Sequence, residues 1–456
     1  MKELPPLSEL SHEQKDALIE ALWKELQGLR EEIEKLKRKK VKKTSRNSSL
    51  PPAKGFKSNL NRDKGSGSVK REASVGRAGG GRELSQTPKQ VVVARAKRCP
   101  HCGEVVDALS QQLRAIYERI ELPVVKPVIT RVERYGGECP HCEQSYVSAV
   151  PAGLEEGSPY GQSVASLVSY LRYCHALSYQ RLSRAMDELY GLKISEGAIA
   201  NLLERVNQQL TDPVKAIIER LRSSRVVCSD ETSARVNGKT QWEWVFQNDQ
   251  VCLHLIRPSR GKVVLLEAMG QHRPQVWVSD LFSSQKAHPA EQWQVCLAHQ
   301  LRDCQYAIDC GDDLFAPTLK RILLKAIGIG RRRERLKDST LKQYVSRLKT
   351  RLWRALDLKP NNPEGQKLIR RYRRLQPNLF RFLETEDVPP TNNSSERALR
   401  PSVIFRKVTN GFRSEWGAEL FSKVRSVIGT AQRQGISAFD AISRSLSSTQ
   451  HNWLLG

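Results

Sequence analysis

The chain has 456 residues, too many for one ordinary hydrophobic core, so several domains are expected. Lys and Arg total 75 against 49 Asp and Glu, a formal net charge of +26 that favours a polyanionic partner, nucleic acid before membrane. No stretch is long and apolar enough to span a bilayer, and the opening "MKELPPLSELSHEQKDALIEALWKEL" has no signal-peptide core. A cytoplasmic protein is expected, in which cysteines serve as ligands or buried thiols rather than disulfides.

Taken in chain order, Ile19, Leu22, Leu26, Leu29, Ile33 and Leu36 are spaced 3-4-3-4-3, with charged residues between them. That is the seam of a coiled coil over residues 1–41, a pattern that favours a two-stranded dimer. A single amphipathic helix packed on its own protein would look the same. Residues 42–96 are basic and rich in Ser, Gly and Pro, with few large apolar side chains. Such a segment cannot offset its ordering entropy and is expected to be a linker.

Over 97–150 the tetrapeptide Cys-Pro-His-Cys occurs twice, at Cys99–Cys102 and Cys139–Cys142. Four thiolates in two C-x2-C pairs are the ligand set of a structural Zn2+ site, and "LPVVKPVITRVERYG" between them suits the hairpin of a zinc ribbon. A redox pair is the alternative, but no thioredoxin-like βαβ context accompanies it. Residues 158–222 carry helical periodicity, a turn at "YGLKIS" and a capping signal at Ser195-Glu196, compatible with a helix-turn-helix DNA-binding domain. Any small helical domain would read similarly.

From residue 223 the period changes to that of strands. "RVVCSD", "QWEWVFQ" and "VCLHLIR" follow one another, with a hairpin signal at Asn237-Gly238. A helix over "GKVVLLEAMG" and the strands "PQVWVSD" and "WQVCLAH" come next. This is the strand order of a ribonuclease-H-like mixed sheet, in which Asp230 and Asp280 would end neighbouring strands. Two converging carboxylates attract hard divalent cations, and two such metals can activate an attacking oxygen and stabilise a leaving one at phosphorus. A third carboxylate would complete the cage; spacing alone does not select it.

The stretches "SDETSARVNGKTQWEWVF", "CLAHQLRD", "TNNSSERALRPSVIFRKVTNGF" and "GTAQRQGIS" resemble the IS66 family of insertion-sequence transposases. The order of parts, including "SRNSSLPPAKG" at 45–55, is also similar. The resemblance implies a multidomain α+β protein: coiled coil, zinc ribbon, helix-turn-helix-like domain and a ribonuclease-H-like DDE core at 223–305 and 391–450. A basic helical insertion would occupy 306–390 and touch DNA through Arg331–Arg335 and Arg370–Arg374.

Carried over by motif, Asp230, Asp280 and Glu396 are the implied catalytic residues, holding Mg2+ or Mn2+ for DNA cleavage and transfer of the freed 3′-OH. Asn392, Asn393, Arg397, Arg400, Arg406 and Lys407 are implied phosphate contacts, and Cys296 and His299 are expected to pack near the site. Glu231, next to Asp230 on a strand, points to the opposite face and is expected to be structural. Implied partners are transposon-end and target DNA, a second copy of the chain and small accessory proteins of the same element, with the protein at the nucleoid. The chain departs from the family pattern with Leu281-Phe282 after Asp280 and with Thr391 where an acid is commoner. Two other readings fit the same sequence: a domesticated or inactive zinc-ribbon DNA-binding protein, and a structure-selective nuclease on the same fold.

Overall fold

A computed structural model of the chain describes residues 11–37, 43, 47–48, 82–447 and 453. Most of the linker expected over 42–96 lies outside them. The chain divides into two compact units, Lys57–Thr130 with Asp187–Leu192, and Met1–Phe56 with Arg131–Met186 and Lys193–Gly456.

In the smaller unit, the first Cys-Pro-His-Cys forms a tight knuckle. Cys99 N–H donates to Glu104 O at 2.8 Å and Gly103 N–H to Cys99 O at 2.9 Å, with Arg98 bridged to Val105. The "LPVVKPVITRVERYG" stretch, expected as a ribbon hairpin, is extended but pairs with no strand before Gly136, and Leu122, Val124, Val128 and Ile129 are exposed. Pro123 and Pro127 explain the difference, since each removes a donor that a ladder would need.

In the larger unit, helix α1 (His12–Lys37) opens with a reciprocal cap: Gln14 N–H donates to Ser11 Oγ and Ser11 N–H to Gln14 Oε1. Ile19, Leu22, Leu26 and Leu29 of the predicted seam are exposed, whereas the side chains of Ile33 and Leu36 lie outside the described residues. The second knuckle joins strands β1 (Gly136–Glu138) and β2 (Ser145–Val147), a short antiparallel ladder. It repeats the bonding of the first: Cys139 N–H to Gln144 O, and Glu143 N–H to Cys139 O.

Helices α2 (Gln162–His175), α3 (Tyr179–Tyr190), α4 (Glu196–Gln209) and α5 (Thr211–Arg222) fill the predicted helical region. Ser195 caps α4 by accepting from Ala198 N–H, and α4 buries Ile199, Leu202, Leu203 and Val206.

A five-stranded sheet follows, in the order β5-β4-β3-β6-β7. Strands β3 (Val226–Val236), β4 (Lys239–Gln247) and β5 (Cys252–Arg257) form an antiparallel meander. The turn between β3 and β4 is Asn237-Gly238, both at positive φ as a two-residue hairpin requires. After α6 (Lys262–Met269), strands β6 (Val276–Ser279) and β7 (Gln292–Val295) add in parallel beside β3.

Helix α7 (Leu297–Asp309) then leads into α8 (Phe315–Gly330), α9 (Asp338–Leu356), α10 (Pro363–Leu375) and α11 (Arg381–Glu384). These helices share one apolar core with Val226, Cys228, Val276 and Val278 of the sheet. The chain ends with α12 (Asn393–Thr409), α13 (Glu415–Arg433) and α14 (Ala438–Ser445). Helix α13 lies against β5, α4 and α5, so the 158–222 helices share their packing with the sheet-bearing part of the chain. A Cβ at Gly429 would fall 2.9 Å from Cys252 Cβ, so glycine is what lets α13 approach β5 this closely. Among the described residues no helix is long and apolar enough to cross a membrane.

Candidate catalytic site

Strand register brings the first two predicted acids together. Strands β3 and β6 run parallel with Cys228 opposite Val278, so two residues on, Asp230 on β3 stands level with Asp280 just past the end of β6. Asp230 does not end its strand as expected, because β3 runs on to Val236 in the hairpin with β4. Alternation puts Asp230 on the sheet face that carries Cys228, Val245 and Glu243's partner Thr232, and turns Glu231 to the other face. There Glu231 accepts from Arg260 Nη2 at 2.9 Å and from Gln285 Nε2 at 2.7 Å.

The acidic pair is electrostatically strained. Burial, and then the neighbouring carboxylates of Glu231, Asp280 and Glu396, push the Asp230 carboxyl well above the usual carboxylate range. One hydrogen bond, from the Glu231 N–H to Asp230 Oδ1 at 2.9 Å, opposes that shift. Asp280 Oδ1 accepts from the Phe282 N–H at 2.9 Å, which closes the chain into a turn after β6.

Glu396 arrives on the first turn of α12, and one buried side chain sets the position of that helix end. Asn392 donates from Nδ2 to the carbonyl of Ser229, the residue before Asp230, at 2.7 Å. Its Oδ1 accepts from Ser395 Oγ at 2.7 Å, and its backbone N–H donates to Cys296 Sγ at 3.1 Å. Ser395 in turn accepts from Gln247 of β4 at 2.9 Å. Asn392, anticipated as a phosphate contact, is fully buried and acts as a joint. Cys296, its pKa pushed up to about 11 by burial, is a neutral thiol that also ties to β6 through its own N–H and Ser279 O. A second tie lies deeper: Ser402 of α12 donates to Glu243 Oε1 at 2.7 Å, and the same oxygen meets His254 Nδ1 at 2.8 Å.

The Glu396 carboxylate is already partnered. Arg302 Nη2 donates to it at 2.9 Å and His299 Nε2 lies 3.5 Å away, both from α7. Burial and the adjacent Arg302 guanidinium lower the His299 pKa, so its imidazole is neutral at physiological pH. Among the described residues, Arg302 Nε and His299 Nδ1 are buried with no hydrogen-bond partner. Arg302 was not singled out in the sequence, although it stands inside the quoted "CLAHQLRD". Among the described residues, no group of three or more His, Cys, Asp or Glu side chains is gathered tightly enough to hold a metal.

On the outer side of α12, Asn393, Arg397, Arg400 and Lys407 are exposed and recur at helical spacing along one stripe. Arg406 turns the other way, donating to Ser233 Oγ at 2.6 Å and to the Ser233 carbonyl. In the insertion, Arg333 donates to Phe382 O and Thr385 O, and Arg371 pairs with Asp303. Arg331, Arg335, Arg370 and Arg374 are exposed.

In each cysteine knuckle the first thiol has its pKa lowered. Backbone N–H groups of Cys102 and His101, with the Cys102 side chain, lower the Cys99 pKa; those of His141 and Cys142, with the Cys142 side chain, lower that of Cys139.

Comparison with known proteins places the chain beside transposases by sequence and finds similar solved structures. The family described as "Transposase IS66 family" matches residues 157–420. A solved structure titled "Crystal structure of the Mos1 Strand Transfer Complex" is similar at 15% identity and a TM-score of 0.12, covering 31% of this chain. The alignment spans 60% of that solved chain, less than two thirds of its length. No curated protein matches.

Proposed function

The chain belongs to the IS66 family of transposases, and from that premise we propose that it cleaves DNA at transposon ends and joins the freed 3′-OH to target DNA. The observation that carries this reading is the level placement of Asp230, within β3, and Asp280, just past the end of the parallel neighbour β6, with α12 bringing Glu396 from the side. The meander-then-parallel sheet supports a ribonuclease-H-like core.

A buried carboxyl whose acidic neighbours oppose its ionisation suits a hard divalent cation, and Asp230, Asp280 and Glu396 would hold Mg2+ or Mn2+. Bound there, the cation supplies Lewis-acid activation of the attacking oxygen and stabilises the leaving one. Asn392 and Ser402 fix the approach of α12, Arg302 and His299 hold the Glu396 carboxylate in orientation, and the α12 stripe lines up the phosphate backbone. The test is incubation of the purified protein with DNA bordering its gene, a target plasmid and Mg2+. Nicked ends and joined products are expected, and binding without either would favour the DNA-binding reading over the enzyme. Nicking of branched DNA without joining would favour the nuclease.

The basic stripe makes a separate prediction. Arg400→Ala and Lys407→Ala should each weaken DNA binding across sequences and reduce the slope of log K against log salt by about 1. Arg406→Ala should instead lower the melting temperature, because its guanidinium is engaged on β3. Equal salt effects for all three, read by fluorescence anisotropy, would contradict the division.

On their spacing, Cys99, Cys102, Cys139 and Cys142 are proposed to take zinc, each pair offering a thiolate already favoured by backbone N–H groups. Elemental analysis should return one zinc per chain and none for Cys99→Ser or Cys139→Ser. Zinc-free wild-type protein would remove the site. The exposed α1 stripe is proposed to self-associate as a coiled coil. Accessory proteins and a nucleoid location follow from the family reading alone.

A further inference from the structure

Beside the acidic pair, on the other side of β3, lies a cluster that metal chemistry does not use. The Arg260 guanidinium carbon sits 4.3 Å from the centroid of Trp242 on β4 and 3.7 Å from that of Phe282. Both rings are only partly buried, and the Arg260 side chain is 40% exposed, so the cluster faces solvent. Its charge is met from beneath: Glu231, 2% exposed, accepts from Arg260 Nη2 at 2.9 Å and Nε at 3.2 Å. Gln285, itself fully buried, holds the second Glu231 oxygen and reaches Ser229 Oγ at 3.2 Å. The guanidinium is therefore fixed in place and neutralised. What it shares with the two rings is flat, polarisable surface rather than free charge.

Position gives that surface a meaning. Phe282 follows Asp280 by two residues, and its N–H is hydrogen-bonded to the Asp280 carboxylate. Glu231 is the chain neighbour of Asp230. The platform is thus tied by covalent and hydrogen-bonded links to both acids that would flank a scissile phosphodiester.

We infer that Trp242, Arg260 and Phe282 form a stacking platform for one unpaired nucleobase of the DNA strand whose phosphodiester lies at Asp230 and Asp280. A phosphate group would call for an unneutralised cation, which Arg260 is not. An aliphatic ligand would leave the guanidinium plane unmatched. A nucleobase offers a π-face to rings and guanidinium alike, and such stacking tolerates any base. Catalysis next to the platform would then require the terminal base pair to open, and stacking offsets part of that unpairing. The inference rests on the DNA reading above.

The test uses the full chain without divalent metal, and a forked oligonucleotide from the gene border with 2-aminopurine at successive unpaired positions. A matched set carries an abasic residue at each of those positions. Wild-type protein should quench 2-aminopurine at one position and lose about 10-fold or more in affinity when that position is abasic. Trp242→Ala and Phe282→Ala should bind the intact fork that much more weakly, yet show no further loss on the abasic fork; Trp242→Phe should restore most of the difference. Thermal melts of the variants separate a lost platform from a lost fold. Tight binding with no position-dependent quenching, or equal losses on intact and abasic forks, would overturn the platform and leave the DNA reading standing. Failure to bind any DNA would overturn both.

Discussion

Asp230→Asn is expected to abolish strand cleavage and, in the same protein without metal, to raise the melting temperature. Burial and three neighbouring carboxylates push the Asp230 carboxyl well above its ordinary range, so ionising it costs the folded chain more than the unfolded one. The sign follows from that direction. Below the ordinary aspartate pKa of about 3.9 the group is protonated in both states and costs nothing. As pH rises from there through the elevated folded value, the unfolded chain ionises first, and the wild type loses stability that the amide keeps. The melting-temperature gap between variant and wild type should therefore open as pH climbs from about 3.9 to that elevated value and stay level above it. Added Mg2+ should narrow it, because a cation that binds only the folded wild-type site stabilises that protein alone. Cleavage should fall by more than the roughly 10–100-fold that loss of an outer partner of a metal ligand produces. An Asn variant less stable than wild type at neutral pH, or one stabilised by Mg2+ to the same extent, would remove Asp230 from the metal site.

That an acid closing an apolar run can be found from sequence at all reflects the simplicity of its signal. "RVVCSD" and "PQVWVSD" each put an acid at the end of an apolar run, and parallel pairing of the two runs brings the acids level. The Asn237-Gly238 hairpin and the Ser195 cap are legible for the same reason: each depends on a few neighbouring residues whose backbone preferences are strong. What sequence could not supply is partnership. Arg406, Arg333 and Arg371 read as free charge beside Arg400 and Arg331, and only packing reveals that the first three are engaged within the protein. Arg302 was overlooked because its relation to Glu396 spans 94 residues. The stretch 122–136 carried a strand composition, yet its two prolines deny it the donors of a ladder, and composition outweighed them in the reading. Asn392 was misassigned by its company: placed among basic residues it suggested a phosphate contact, while its burial makes it a joint.

That joint is where a conservative change should do disproportionate damage. Asn392 touches the carbonyl before Asp230, the cap of α7 and the first turn of α12 together. Asn392→Ala leaves the Ser229 carbonyl and the Ser395 hydroxyl short of a partner in a buried place, at a cost of about 1–3 kcal/mol for each orphaned group. Asn392→Asp keeps the volume and the acceptor for Ser395, but it sets a carboxylate oxygen where an N–H₂ faced a carbonyl. It also adds a buried negative charge to a region where burial and acidic neighbours already push the Asp230 carboxyl upward. The aspartate variant should therefore be less stable than the alanine variant at neutral pH, against the usual ranking by size. Acidification should reverse the order, since a protonated carboxyl can again donate to Ser229 O. In both variants DNA cleavage should drop at temperatures where the fold persists, because α12 loses its fix on β3 and Glu396 drifts relative to Asp230. Melting curves of the three proteins across pH, read beside cleavage at a permissive temperature, test each step. An aspartate variant as stable as wild type at neutral pH would mean that α12 is seated by Ser402 and Glu243 alone.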